Sequence, residues 1–243
     1  MKHIEYYFLF FALLAEVIGT VGGFGSSVFF VPIANFYFDF QTVLGITAMF
    51  HVVSNLSKIA LFKKGIDKNL ILYIGVPAVL FVILGGFVSK LLNTRFLEII
   101  LGVFLVLLSL LFLIKKNLIV KPHKKEAIIG GTLSGFIAGI LGTGGAIRGL
   151  TMAAFNLEKN VFIATSAVID FGVDFSRTIV YYINGYITME ILIYIPFLVV
   201  IGIAGTYLGK LLLTKISQDN FKKFSLFLIL IIGIITIIKT LSH

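Results

Sequence analysis

The sequence predicts an all-α integral membrane protein built from two inverted repeats, and three observations predict it. Hydrophobic residues make up 59% of the 243 positions and charged residues 13%, where a soluble domain carries about half and about a quarter. Apolar runs near or above the roughly 20 residues that cross a bilayer recur from end to end. Glycine-rich stretches stand at matching places in the two halves of the chain.

The apolar runs, bounded by charged clusters, cover 4–38, 41–62, 70–92, 96–114, 127–157, 161–183, 191–213 and 221–238. They are continuous in Leu, Ile and Phe, whereas a β-barrel needs strands of about ten residues with alternating polarity. Residues 1–5 lead directly into the first run with no small-residue cleavage site after it, which reads as a retained segment rather than a signal peptide. The absence of cysteine excludes disulfides and thiolate metal sites. A net charge of +9 raises nucleic acid as a partner, but the lysines lie in short loops between apolar runs, which fits membrane topology and not nucleic-acid binding.

The glycine stretches are Gly19, Gly22, Gly23 and Gly25, followed by Ser26 and Ser27, and Gly139, Gly142, Gly144 and Gly145. An offset of 119 residues carries Gly23 onto Gly142, Gly25 onto Gly144, Lys58 onto Arg177, Pro77 onto Pro196 and Asp39 onto Glu158. Two repeats of one unit follow: a first membrane repeat at 1–118, a basic cytoplasmic linker at 119–126 and a second repeat at 127–243.

The first run holds 35 residues, about 52 Å as one helix and far beyond a hydrocarbon core of about 30 Å. A glycine-broken re-entrant hairpin resolves the excess. Each repeat then has one hairpin and three full spans, so the second is inverted. In this arrangement 13 Lys and Arg side chains, including Lys63, Lys64, Lys116, Lys159 and Lys222, face the cytoplasm. Four face outside: Lys2, Lys90, Arg95 and Lys239. That asymmetry follows the positive-inside rule and places the chain in the cytoplasmic membrane as a multi-pass protein.

A helix that restarts inside the membrane aims its N-terminal amides at the interior, where amides and dipole attract an anion. Two such starts, at Gly25, Ser26 and Ser27 and at Thr143, Gly144 and Gly145, form a candidate oxyanion site. Small residues also serve close helix packing, which is the alternative for either stretch alone. Arg148 follows the second stretch in an apolar arm. Its planar fork suits an oxyanion; the alternatives are an ion pair with Asp170 or Asp174, or snorkelling.

A polar stripe in the next segment repeats as well. Thr47, His51, Asn55 and Lys58 share one helical face, and the offset carries them to Ser166, Asp170, Asp174 and Arg177. Polar stripes within apolar spans read as a substrate pathway. His51 and Asn55 are candidates for substrate contact, and His51, Asp170, Asp174, Lys58 and Arg177 for a pathway or proton relay. For Lys58 and Arg177 snorkelling to headgroups is the competing reading, and Asp174 is a possible i+3 partner of Arg177. Glu16, alone in the first segment, takes protons or bridges a neighbour.

A glycine-rich motif opening each of two related halves, followed in the first by Val28, Phe29, Phe30, Val31 and Pro32, resembles the sulfite exporter TauE/SafE family of anion permeases. Ser26 and Ser27 stand where that family continues in glycine, and Thr151 where proline is expected. The resemblance implies a sulfur anion such as sulfite, a sulfonate or thiosulfate; composition alone implies only an anion. The expected protein is a secondary transporter working by alternating access, with protons as coupling ion and no cofactor or metal. A passive channel and an intramembrane enzyme using His51, Asp170 and Asp174 are the rival classes. The sequence leaves oligomeric state open.

Overall fold

The computed structural model of the chain describes residues 6–22, 25–62, 65–115, 120–213, 215 and 218–242. Gly23, Lys2, Lys63, Lys64, Lys116 and the boundary at 118/119 lie outside the described residues, as do the side chains of Lys159 and Lys222. Among the described residues the regular structure is helical. The principal helices are α1 (Tyr6–Gly22), α2 (Ser27–Ala34), α3 (Phe40–Leu61), α4 (Lys68–Ser89), α5 (Thr94–Ile114), α6 (Lys124–Leu141), α7 (Gly145–Ala153), α8 (Lys159–Ile183), α9 (Ile195–Leu213) and α10 (Gln218–Leu241).

The long first run is two helices, and so is the run at 127–157. α1 stops at Gly22, and α2 starts at Ser27 and folds back, so that Phe8 near the start of α1 meets Phe30, Tyr37 and Phe38 at ring separations of 5.7, 5.7 and 5.0 Å. α6 ends on Gly142, whose φ of +74° is a left-handed cap that L side chains adopt at a cost. α7 then returns along α6, bringing Thr151 against Gly130.

Helix starts follow local chemistry. The Asp39 carboxylate accepts the Thr42 amide at 3.0 Å, Asp67 accepts that of Leu70 at 3.0 Å, and Asn93 that of Phe96 at 2.7 Å. The paired prolines mark irregular helix. A π turn at Ile71–Gly75 precedes Pro77, widening the helix where the ring would meet the preceding carbonyls. A short turn at Met189–Leu192 is separated from α9 just before Pro196.

Among the described residues, five helices are long and apolar enough to cross a membrane: α3, α4, α5, α9 and Lys223–Leu241 of α10. Tyr6–Val21 is apolar but shorter. α8 holds 25 residues and is less apolar because Asp170, Asp174 and Arg177 lie within it. The packing is inside-out for a water-soluble protein: Leu80, Leu107, Val200 and Ile238 are 60% exposed or more, while Glu16 and Arg177 are buried. A surface so apolar requires lipid as its solvent. The chain is a multi-pass membrane protein.

Small residues set the helix contacts. Gly131, Gly135 and Gly139 recur every fourth residue on α6 and lie on the backbone at Ile74, Ala78 and Val82 of α4. On the other side of the molecule α1 packs on α9, where Gly205 and Gly209 receive Glu16 and Thr20. α3 crosses α8, and α5 pairs with α10 through Gly102 and Gly233. Close backbone approach of this kind replaces the missing hydrophobic drive between helices in lipid.

Candidate functional site

The two helix breaks meet. A Cβ built on Gly25 would stand 3.7 Å from the Cα of Gly145, and Ser27 Oγ donates to Thr143 Oγ1 at 3.2 Å. Neither α2 nor α7 has a side-chain cap at its N-terminus, so their first amides depend on another acceptor. Beside them lies a cavity of about 30 Å³, lined by Gly25, Ser26, Ser27, Gly144, Gly145 and Arg148 from the breaks and by His51, Asn55, Lys58, Asp170, Asp174 and Arg177 from α3 and α8. Thr143 is buried behind this lining, held by Ser27.

The polar stripes of α3 and α8 face each other, because these two helices cross beneath the breaks. Each cation on the cavity wall has a carboxylate partner. Lys58 Nζ lies 2.9 Å from Glu16 Oε1, Arg148 pairs with Asp170, and Arg177 Nε lies 2.8 Å from Asp174 Oδ1. Arg148 is therefore an ion pair with Asp170, one of the alternatives for that residue, and its Nε remains buried without a hydrogen-bond acceptor. Arg177, 1% exposed, and Lys58, 8% exposed, do not snorkel. Three cations are thus matched by three carboxylates, of which Glu16 lies behind the cavity lining.

Arg177 also ties the stripe to the second break. Its Nη1 donates to the carbonyl of Gly142 at 2.6 Å, at the C-terminal end of α6 where the helix dipole favours a cation. Tyr181, one turn further, donates to the carbonyl of Gly139 at 2.8 Å. At the other break Ser26 Oγ and His51 Nε2 are 2.8 Å apart, and His51 Nδ1 is 2.7 Å from the Thr47 carbonyl. A carbonyl only accepts, so Nδ1 carries a hydrogen. In the neutral ring Nε2 then accepts from the Ser26 hydroxyl.

Of the two roles that the sequence offers Glu16, taking protons or bridging a neighbour, the structure shows a bridge, to Lys58. Glu16 is fully buried and its Oε1 gathers Ser54 at 2.5 Å, Thr206 at 3.0 Å and Thr20 at 3.3 Å as well. Ser54 stands one turn before Lys58 and also accepts from its ammonium at 3.0 Å. A lone acid in an apolar helix is a signal that a cation must reach it, but the hydroxyls of α9 carry no such mark. On α8, Ser166 donates to Asp170 at 3.2 Å.

Comparison with known proteins adds a family. The chain is 26% identical over 175 residues to a probable membrane transporter protein of Methanocaldococcus jannaschii, a match covering 64% of this chain and 64% of that relative. The matched part of the chain thus spans less than two thirds of the relative's length. No solved structure matches. The family model described as sulfite exporter TauE/SafE matches residues 8–236, a stretch that takes in both helix breaks, both polar stripes and the cavity between them, and the chain belongs to that family.

Proposed function

We propose that this chain is a secondary transporter that carries a compact oxyanion of the sulfite, sulfonate or thiosulfate type across the cytoplasmic membrane by alternating access, coupled to protons. The observation that carries the reading is the cavity between two uncapped helix N-termini, lined from both halves of the chain. Amides and positive helix ends converge there, as a bound anion requires. The family name and the relative's name as a probable membrane transporter point the same way.

The architecture that goes with this function is six spans and two re-entrant hairpins in two inverted repeats. It is supported by the reciprocal packing of α1 on α9 and of α4 on α6, and by the crossing of α3 with α8. The binding set comprises Gly25, Ser26, Ser27, Gly144, Gly145 and Arg148, with Thr143 behind them and His51 and Asn55 facing them. The cavity of about 30 Å³ has room for two or three waters at about 10–15 Å³ each. That favours a compact oxyanion over a long organic one.

Reconstituted liposomes test the reading. Saturable sulfite or thiosulfate flux that responds to a pH gradient is the expected result. Ohmic conductance would make the chain a channel, and chemical conversion of a substrate without flux would make it an enzyme.

A further inference from the structure

We propose that the Ser26 hydroxyl is the element that couples anion to proton: it donates either to His51 Nε2 or to the anion, and it turns to the anion when His51 becomes protonated. The inference rests on the anion-carrier reading above and names the atoms that make the coupling.

The geometry gives the hydroxyl one hydrogen and, besides an anion, two neighbouring acceptors: His51 Nε2 and the buried Glu16 carboxylate. His51 Nδ1 is committed to the Thr47 carbonyl at 2.7 Å, so the ring has no second acceptor position to offer and Nε2 is the only atom free to change state. In the empty, neutral state the Ser26 hydrogen points at Nε2, 2.8 Å away. The Ser26 oxygen then shows the cavity lone pairs, which repel an anion. A proton arriving on Nε2 reverses this bond: Nε2–H donates, the Ser26 oxygen accepts, and the hydroxyl hydrogen is released to an anion in the cavity, in competition with the Glu16 carboxylate. Nothing covalent breaks, and the one added proton is the imidazolium hydrogen.

Burial makes the alternatives costly. Ser26 is 1% exposed and His51 4%, and Phe30 and Phe50 close edge-on to the imidazole at 5.7 and 5.0 Å. The charged groups facing the ring are Glu16 on α1, Lys58 on its own helix, and Arg177 on α8 with Asp174 beside it; α2 contributes Ser26 alone. Since the wall's three cations are matched by three carboxylates, an anion entering alone adds an unpaired charge in a low-dielectric site. An imidazolium beside it offsets that charge.

The test uses the purified protein labelled with ¹⁵N-histidine and thiosulfate as the probe, because thiosulfate keeps its charge near neutral pH whereas sulfite titrates to hydrogen sulfite. The His51 signal, assigned by its loss in His51→Gln, is expected to pass from the Nδ1–H neutral form to the doubly protonated form as thiosulfate saturates. Affinity is expected to weaken by about tenfold per pH unit once the free imidazole is neutral. Ser26→Ala is expected to weaken binding by about ten- to hundredfold, the loss of one hydrogen bond to a charged group, and to abolish the protonation step. Saturating thiosulfate with a neutral His51 overturns the inference and leaves the carrier standing. Protonation that persists in Ser26→Ala overturns it too, since the anion's field alone would then suffice. Absence of saturable binding by any sulfur oxyanion sinks the carrier reading and this inference together.

Discussion

Asn55 and Asp174 stand 119 positions apart, the same offset that relates the two halves, and they touch: Asn55 Nδ2 donates to Asp174 Oδ2 at 2.7 Å. Each residue therefore contacts the one that the 119-residue offset assigns to it. Two aspartates could not make this contact, because two carboxylates repel; the amide of Asn55 supplies the donor. Asn55→Ala is expected to leave the Asp174 oxygen unpaired and cost about 1–3 kcal/mol. The double swap Asn55→Asp with Asp174→Asn restores a donor and an acceptor and is expected to be more stable than Asn55→Asp alone, which sets two carboxylates against each other. Thermal unfolding of the purified variants checks both; a double swap no better than the single variant counts against the pairing.

The Lys58–Glu16 pair joins α3 to α1 with the carboxylate fully buried. Removing one member leaves an uncompensated charge, so Lys58→Met is expected to destabilise by about 3–5 kcal/mol. Removing both charges with Glu16→Gln and Lys58→Met is expected to recover most of that. A melting series of the two single variants and the double gives the coupling directly. Equal destabilisation in single and double variants would falsify the pair's structural role.

Much of this was legible in sequence for a physical reason. Glycine breaks and polar residues in apolar helices are expensive in lipid, so each one that persists marks a place where the fold supplies a partner. Arg148, Asp170 and Asp174 stood out on that ground and meet in the structure. The pairing itself was not legible, because Arg148 had two carboxylates within one helix to choose from and only the approach of α7 to α8 selects Asp170. Thr206 was silent for the opposite reason: a hydroxyl in a span satisfies itself on its own helix and gives no sign that it reaches Glu16. The division of 4–38 into α1 and α2 followed from length, the glycine stretch and the lysine distribution, whereas the irregular turns before Pro77 and Pro196 needed coordinates to see.

Gly142 closes α6 at φ +74°, and its carbonyl holds Arg177 at 2.6 Å. A Cβ there would also meet Leu44 Cδ2 at 2.9 Å. Gly142→Ala is expected to cost about 1–2 kcal/mol for the left-handed backbone, with the contact added. Because the strained peptide carries the Arg177 acceptor, anion flux should fall along with the melting temperature. Gly65→Ala is the control, for Gly65 also has positive φ but faces open space. It should lose stability and keep flux per folded molecule.

Arg148 presents two faces, one committed to Asp170 and one, at Nε, buried without an acceptor. Arg148→Ala alone confounds the two, since it also strands Asp170, a carboxylate only 19% exposed. The informative variant removes both charges, Arg148→Ala with Asp170→Ala. It is expected to melt closer to the parent than Arg148→Ala does, because no unpaired charge remains. Its response to thiosulfate is the deciding measurement. In the parent a ligand at a hundred times its Kd stabilises by about 2.7 kcal/mol, and this gain is expected to vanish in the double variant if Nε is a donor to the anion. A double variant that folds and is still stabilised as strongly at the same thiosulfate concentration assigns Arg148 to Asp170 alone and moves the anion's charged donor elsewhere on the wall.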